Sequence, residues 1–345
     1  MVADMSHSVV TAWGYYRMPK KYLVTGGTGF IGSALVKRLV SDGHSVRVID
    51  NNSRGALSKL GDVINDIEFI ETDIRDSNVV VKSANGIDSL IHLAFVNGTE
   101  FFYSKPELVL DVGVRGMLSV IDACRKNGIG ELVLASSSEV YQTPSVVPTD
   151  ETASLSIPDV LNPRYSYAGG KLISELMAIN YGRGGGFDRV MIFRPHNVYG
   201  SDMGWEHVIP QFILRAIDLI KANPEGVIEF PIKGDGRQTR AFVYIDDFIN
   251  GLICMLDKGQ HLSIYHIGNP EEITIREVAE KVVEYFGRRA EIIAGVAPVG
   301  ETPRRCPDIS KLKKLGYEPR VLFSEGIIPT ARWYAKNANK RKNKT

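Results

Sequence analysis

The stretch Thr25-Gly26-Gly27-Thr28-Gly29-Phe30-Ile31-Gly32 decides the fold. Before it runs a short apolar segment, residues 20–25 (KKYLVT). After it, Ile31, Leu35, Leu39 and Val40 recur at helical spacing until Asp42-Gly43. An apolar run ending in glycines predicts a buried parallel strand, and the spacing behind it predicts a helix. Downstream, residues 45–49 (SVRVI), 67–71 (IEFIE), 87–93 (IDSLIHL), 132–135 and 189–193 (RVMIF) read as further strands, with long helices near 104–127 and 166–181. Alternation of this kind calls for right-handed crossovers, so the expected class is α/β with a doubly wound parallel sheet.

Past Arg194 the rhythm changes: segments shorten, and prolines recur from Pro210 to Pro319. The expected division is a disordered leader (1–18) ahead of a start at Met18, a first unit (19–195), a smaller lobe (196–335) and a basic tail (336–345). Residues 265–267 are a candidate strand for return to the main sheet, and Gly182, Gly184, Gly185 and Gly186 predict a helix-to-strand loop. The chain has 345 residues, 44% apolar and 23% charged, with 41 basic against 40 acidic side chains and a net charge of +1. That balance gives no reason to expect nucleic acid or an anionic membrane as partner. Cys124, Cys254 and Cys306 have neither metal nor redox spacing, which argues for a reducing compartment and no metal site. No apolar run reaches the roughly 18 residues of a membrane span, so a cytoplasmic location is expected.

The glycines at 26, 29 and 32 permit a tight turn, close backbone approach to a pyrophosphate and close packing of helix on strand. The helix N-terminus then offers N–H groups and a positive dipole end to phosphates. Asp50 ends the second strand, where a carboxylate accepts from the ribose hydroxyls of NAD and repels the 2′-phosphate of NADP. Arg54 stands near enough to receive such a phosphate, so it argues the other way. Asp73-Ile74 follows the third strand; an adenine contact and a capping role for Asp73 are both open.

Tyr167 and Lys171 lie four residues apart, on one face of a helix. A nearby ammonium stabilises a phenolate, which brings tyrosine closer to use as a base. Gly169-Gly170 between them is unfavourable to a helix and predicts something large against the backbone, such as a nicotinamide ribose. Ser136-Ser137-Ser138-Glu139 follows the fifth strand at the sheet edge where ligands bind; a serine there can hydrogen-bond a reacting oxygen, and Glu139 reads as a second acid/base or as a loop carboxylate.

Residues 25–32, Asp50, His92-Leu93-Ala94, residues 136–141 (SSSEVY), Tyr167 with Lys171, residues 194–200 (RPHNVYG) and residues 234–240 (GDGRQTR) fall in the order of one family. Over roughly residues 20–335 the chain resembles the extended short-chain dehydrogenase/reductases that act on nucleotide sugars: epimerases, 4,6-dehydratases and uronate decarboxylases. The resemblance implies a Rossmann-type NAD-binding unit with a smaller substrate-binding lobe. It implies NAD contacts from Gly26, Gly29, Phe30, Ile31, Gly32, Asp50, Asn51, Arg54, Asp73, Ile74, Leu93 and Ala94, joined by Tyr167 and Lys171. It further implies Tyr167 as base, Lys171 as its partner, Ser137 on the same sugar oxygen, and Ser138, Asn197, Arg240 and Arg305 against the nucleotide-diphosphate sugar. Asn197 also reads as a turn former and Arg305 as a surface charge. Three departures bear on sugar specificity rather than fold: Phe95 replaces a small residue, Gln142 a glycine and Ala241 a frequent aspartate.

In such an enzyme Tyr167 takes the C4 hydroxyl proton while NAD⁺ takes the C4 hydride, leaving a 4-keto sugar. Hydride return to the other face makes a 4-epimerase, loss of the C5 proton leads to 4,6-elimination, and a C6 carboxylate leaves as CO₂. Ser138-Glu139 resembles the dehydratase and decarboxylase form of this loop, but the aspartate that would protonate the C6 oxygen is missing at 138. The sequence reading sets C4 epimerisation first, with a dehydratase or uronate decarboxylase using Glu139 as the alternative. A non-catalytic NAD-binding sensor, the reading from a different class, would not need Ser137, Tyr167 and Lys171. A homodimer is expected, with Leu108, Val112, Leu118 and Ile121 on one helix and Leu172, Leu176 and Ile179 on another supplying core and interface.

Overall fold

Strand β1 (Lys21–Thr25) is buried from its second residue onward, as an apolar strand covered on both faces must be. The computed structural model describes residues 10–11, 14–15, 18–296 and 302–343. After β1 come α1 (Phe30–Ser41), β2 (Ser45–Asp50), β3 (Ile67–Glu71), α2 (Ser77–Ser83) and β4 (Ser89–His92). Next are α3 (Thr99–Ser104), α4 (Pro106–Asn127), β5 (Glu131–Ala135), α5 (Ser166–Arg183) and β6 (Arg189–Pro195). The second part contributes β7 (Val198–Tyr199), α6 (Val208–Ala222), β8 (Ile228–Ile232), β9 (Thr239–Ala241), β10 (Val243–Tyr244), α7 (Ile245–Lys258) and β11 (Ser263–Ile267). It ends with β12 (Glu272–Thr274), α8 (Ile275–Tyr285), β13 (Ala290–Ala294), β14 (Arg304–Arg305), α9 (Ser310–Lys313) and α10 (Phe323–Asn337).

The main sheet has seven parallel strands in the order β11-β6-β5-β4-β1-β2-β3. The order reverses beside β1, and that switch point opens the crevice where ligands bind in such sheets. Alternate side chains serve opposite faces. Tyr22 and Val24 pack with Leu35, Leu39, Phe248 and Leu252 of α1 and α7. Leu23, Leu90 and Leu132 pack with Met117, Val120 and Ile121 of α4. A third core, with Phe212, Phe230, Val282, Ile327 and Tyr334, holds the lobe together.

Several boundaries move from the sequence reading. The first strand begins at Lys21, and the fourth shrinks to Ser89–His92 because the chain turns as the Leu93 N–H reaches the Thr25 carbonyl at 3.1 Å. The helix expected near 104–127 runs Pro106–Asn127, with Pro106 starting it where its missing N–H costs nothing, and the short α3 ends just ahead of it at Ser104. Gly182 belongs to α5 rather than to a loop; a Cβ there would lie 2.7 Å from the Leu262 side chain. Residues 263–267 do return to the main sheet, so the division near 195 is not a clean cut. Val10–Thr11 pairs antiparallel with Gly14–Tyr15, whereas the expected disorder of the rest of 1–17 lies outside the described residues. In the basic tail, Ala338–Asn343 forms a 3₁₀ turn and Lys344 lies outside the description. Among the described residues, no helix is long and apolar enough to cross a membrane.

Candidate active site

The turn after β1 is built by close approach. Gly26 takes φ +75°, and a Cβ there would sit 2.7 Å from the Ala94 nitrogen. A Cβ on Gly32 would lie 2.1 Å from the Gly26 carbonyl oxygen, so α1 can seat against the turn only as glycine. Gly29 caps α1 without a side-chain hydrogen bond, leaving the helix N-terminus to face the cleft. Asp50 accepts from the Thr28 N–H at 3.0 Å and the Asn52 N–H at 2.9 Å, which fixes its carboxylate on the cleft wall. The same cleft is lined by Gly29, Phe30, Ile31, Gly32, Asn51, Arg54, Asp73, Ile74, Leu93, Ala94, Tyr167 and Lys171, so the expected cofactor set converges. A glycine turn, a helix N-terminus and a carboxylate on one wall fit the diphosphate and ribose of NAD.

Two members have further ties. Asp73 is bound by Arg75 at 2.8 Å and by Asn51 at 3.3 Å, and the carboxylate capping α2 is Asp76. Arg54 lies 5.0 Å over the Phe101 ring.

Where β5 ends, the Ser137 hydroxyl accepts from the Glu139 N–H at 3.2 Å and faces the same cavity as Tyr167. The Tyr167 ring stacks on Phe102 at 4.9 Å and meets Phe95 edge-on at 5.2 Å. Burial pushes its phenol up to about 12, against the pull of the Ser137 hydroxyl. Lys171, one turn on, is buried and donates to the Ala135 carbonyl at 2.7 Å. Burial brings its ammonium down to about 7, while the Glu175 carboxylate works to retain the proton. A Cβ on Gly170 would lie 3.0 Å from the Phe95 ring, so that glycine makes room for an aromatic side chain, whereas one on Gly169 would meet only the Ile157 side chain, at 3.7 Å.

Glu139 forms a two-point ion pair with Arg305, its Oε2 lying 3.4 Å from Nη2. Burial raises the Glu139 carboxyl, but Arg305, Arg164 and Arg240 outweigh it and hold the group below its ordinary range. β9 and β14 pair in parallel with Arg240 opposite Arg305, which explains why two arginines stand behind one carboxylate. A cavity of about 290 Å³ opens in front, lined by Ser137, Ser138, Glu139, Gln142, Arg164, Tyr167 and Asn197. Arg305 lines a small adjoining pocket with Ser138 and Gln142, and its buried Nε has no hydrogen-bond partner. Asn197 faces the cavity but also forms a turn, with φ +40° and its amide donating to the Ala241 carbonyl at 3.1 Å. Arg164 was not anticipated, although it precedes Tyr167 by one turn, the same spacing logic that singled out Lys171. Gln142 occupies φ +53°, a position that suits the glycine it replaces.

Behind the site, Arg194 on β6 grips Glu175 through Nε–Oε1 at 2.9 Å and Nη2–Oε2 at 2.6 Å, both side chains being almost fully buried. Arg194 also donates to the Tyr141 hydroxyl, which hydrogen-bonds His266 Nε2 at 2.6 Å. Among the described residues no cluster of His, Cys, Asp and Glu could hold a metal ion.

The NAD dependent epimerase/dehydratase family model matches residues 22–268. The chain belongs to that family. It is 31% identical to a UDP-N-acetyl-alpha-D-glucosaminuronate decarboxylase of Bacillus cytotoxicus, over 93% of this chain and 100% of the relative. A dTDP-glucose 4,6-dehydratase of Streptomyces venezuelae, solved with NAD bound, superposes with TM-score 0.80 at 29% identity, covering 93% of this chain and 98% of that one. A UDP-glucose 4-epimerase of Thermotoga maritima also gives TM-score 0.80, at 26% identity and with 92% and 99% coverage. The family is one of NAD-dependent enzymes, so NAD is the cofactor of this one and the non-catalytic sensor is set aside.

Proposed function

We propose that the protein is a nucleotide-diphosphate-uronate decarboxylase, the reading that the sequence placed second. The observation that carries it is the Glu139–Arg305 pair beside Ser138 at the head of the substrate cavity. A 4,6-dehydratase needs a base for the C5 proton and an acid for the departing C6 oxygen. Glu139 is held in its charged form by arginines, which makes it a weak base, and Ser138 is no acid. C4 epimerisation needs no cation at this point. A uronate needs one: Arg164 lines the cavity, and Arg305 stands behind Glu139 at its wall. The identity to the B. cytotoxicus decarboxylase supports the same reading.

The residues divide the work accordingly. Asp50 and the glycine turn would hold the cofactor, which would supply the acceptor for the C4 hydride and its return. Tyr167, assisted by Lys171 and facing the same cavity as Ser137, takes the C4 hydroxyl proton. The resulting 4-keto uronate is a β-keto acid: its C5–C6 bond breaks, CO₂ leaves, and the electron pair enters the C4 carbonyl as an enolate. C5 then takes a proton from water, and Tyr167 gives its proton back to the C4 oxygen as the C4 hydroxyl is restored. Arg305, Arg240 and Arg164 keep the cavity electropositive for a substrate with both diphosphate and carboxylate charges. Two copies would assemble through α4 and α5, whose Leu118 and Leu176 are 42% and 55% exposed, whereas Val112 and Ile121 are spent in the subunit's own core.

The test is product NMR on UDP-glucuronate, UDP-N-acetylglucosaminuronate, UDP-glucose and dTDP-glucose. Loss of C6 from a uronate supports the reading; a 4-keto-6-deoxy product from dTDP-glucose, with uronates untouched, overturns it.

A further inference from the structure

The aromatic ring of Phe95 has no assigned role, yet three elements are shaped around it. Its face lies 4.0 Å from Lys171 Nζ, and its edge-on contact with Tyr167 is 5.2 Å between centroids. A Cβ on Gly113 of α4 would stand 2.5 Å from the ring, and one on Gly170 of α5 would stand 3.0 Å away. Two helices thus give up side chains to admit one bulky residue at a position where the resembled family carries a small one. The ammonium it meets is buried, with a single hydrogen bond to the Ala135 carbonyl, so the ring face supplies a second favourable contact.

We propose that Phe95 is a positioning residue of the Tyr167–Lys171 pair, holding the Lys171 ammonium by a cation–π contact seated in a notch made by Gly113 and Gly170. The inference rests on the site reading above, because the pair's catalytic role is part of that reading.

The groups facing Lys171 define what a titration would see. Glu175 on α5 is its carboxylate neighbour and is committed to Arg194. His92 on β4 is kept neutral by burial, at about 3, and by Lys171's own charge. Tyr167 stands at about 12, and Glu139 acts on it from the 138–141 turn while ion-paired to Arg305. Between pH 5.5 and 9, Lys171 is therefore the group at this spot whose charge changes, passing through about 7. Below that value the ring has a cation to hold; above it the ring is only filler. A desolvated cation–π contact corresponds to a displacement of about one pH unit in the group it stabilises.

The measurement is the melting temperature of the chain without added ligand, as wild type and Phe95→Leu, from pH 5.5 to 9. Leucine keeps apolar bulk but has no π face. The deficit of Phe95→Leu is expected to be largest at acid pH and to shrink as Lys171 loses its proton. The limb on which turnover falls as Lys171 loses its proton should also move to lower pH in Phe95→Leu by about one pH unit, because a neutral Lys171 no longer favours the phenolate. A deficit of constant size at every pH, or an unmoved limb, overturns the proposal and leaves Phe95 as packing. Normal turnover in Tyr167→Phe would instead overturn the site reading, and the melting comparison would still decide the contact.

Discussion

Replacing Arg194 by methionine isolates the energetic core of the site. The substitution keeps an unbranched apolar stem but removes the guanidinium that meets both Glu175 oxygens at 2.9 and 2.6 Å. Glu175 would remain nearly fully buried without its bidentate cation. Breaking one partner of a buried pair costs about 3–5 kcal/mol, chiefly because the other charge is stranded. The unfolding entropy of a 345-residue chain, at about 2.1 cal/mol/K per residue, makes this a drop of roughly 4–7 °C in melting temperature. The double variant Glu175→Leu, Arg194→Met strands no carboxylate and removes only the Arg194 donor to the Tyr141 hydroxyl and the Glu151 carbonyl, so it should recover most of that loss, as buried pairs replaced by apolar residues do. Differential scanning calorimetry at pH 7 reads both. A drop under about 2 °C for Arg194→Met, or a double variant as unstable as the single, would refute the reasoning. The double variant should nevertheless turn over slowly, because Lys171 has then lost the carboxylate that helps keep its charge.

Gly32→Ala should fold but lose NAD binding in a fluorescence titration, since its Cβ would collide with backbone at the Gly26 carbonyl, which cannot swing away. Asp50→Ala should weaken NAD binding without lowering the yield of folded protein, and a preference for NADP in the wild type would contradict the role given to that carboxylate. Tyr167→Phe should still bind NAD, and both it and Lys171→Met should lose about 10²–10⁴-fold in turnover. Light scattering at micromolar concentration should give a dimer mass, and Leu118→Glu with Leu176→Glu should give a monomer; a monomeric wild type rejects the interface.

Local features of the sequence announced most of this fold. Parallel strands buried on both faces must be short and apolar, and the glycine turn with Asp50 reports its own geometry because backbone approach there excludes any side chain. Tyr167 and Lys171 were legible because a helix brings residues four apart together. What stayed hidden depends on contacts distant in sequence. Arg305 reaches Glu139 across 166 positions, and only the pairing of β9 with β14 brings it there. Gly170 was legible as a demand for space, but the occupant, Phe95, comes from the loop after β4 and shares its notch with Gly113 of α4. The preference for epimerisation turned on a residue missing at 138; the ion pair next to it was invisible until the strands were paired.

Decarboxylation means that the 4-keto sugar loses its C6 carboxylate. That loss can be followed with UDP-glucuronate labelled with ¹³C at C6, with the enzyme and NAD⁺ in deuterated water. Labelled CO₂ is expected, together with a UDP-pentose carrying one solvent deuterium at C5. A C4-inverted uronate that keeps its labelled C6, with no deuterium at C5, would contradict decarboxylation and restore the epimerase.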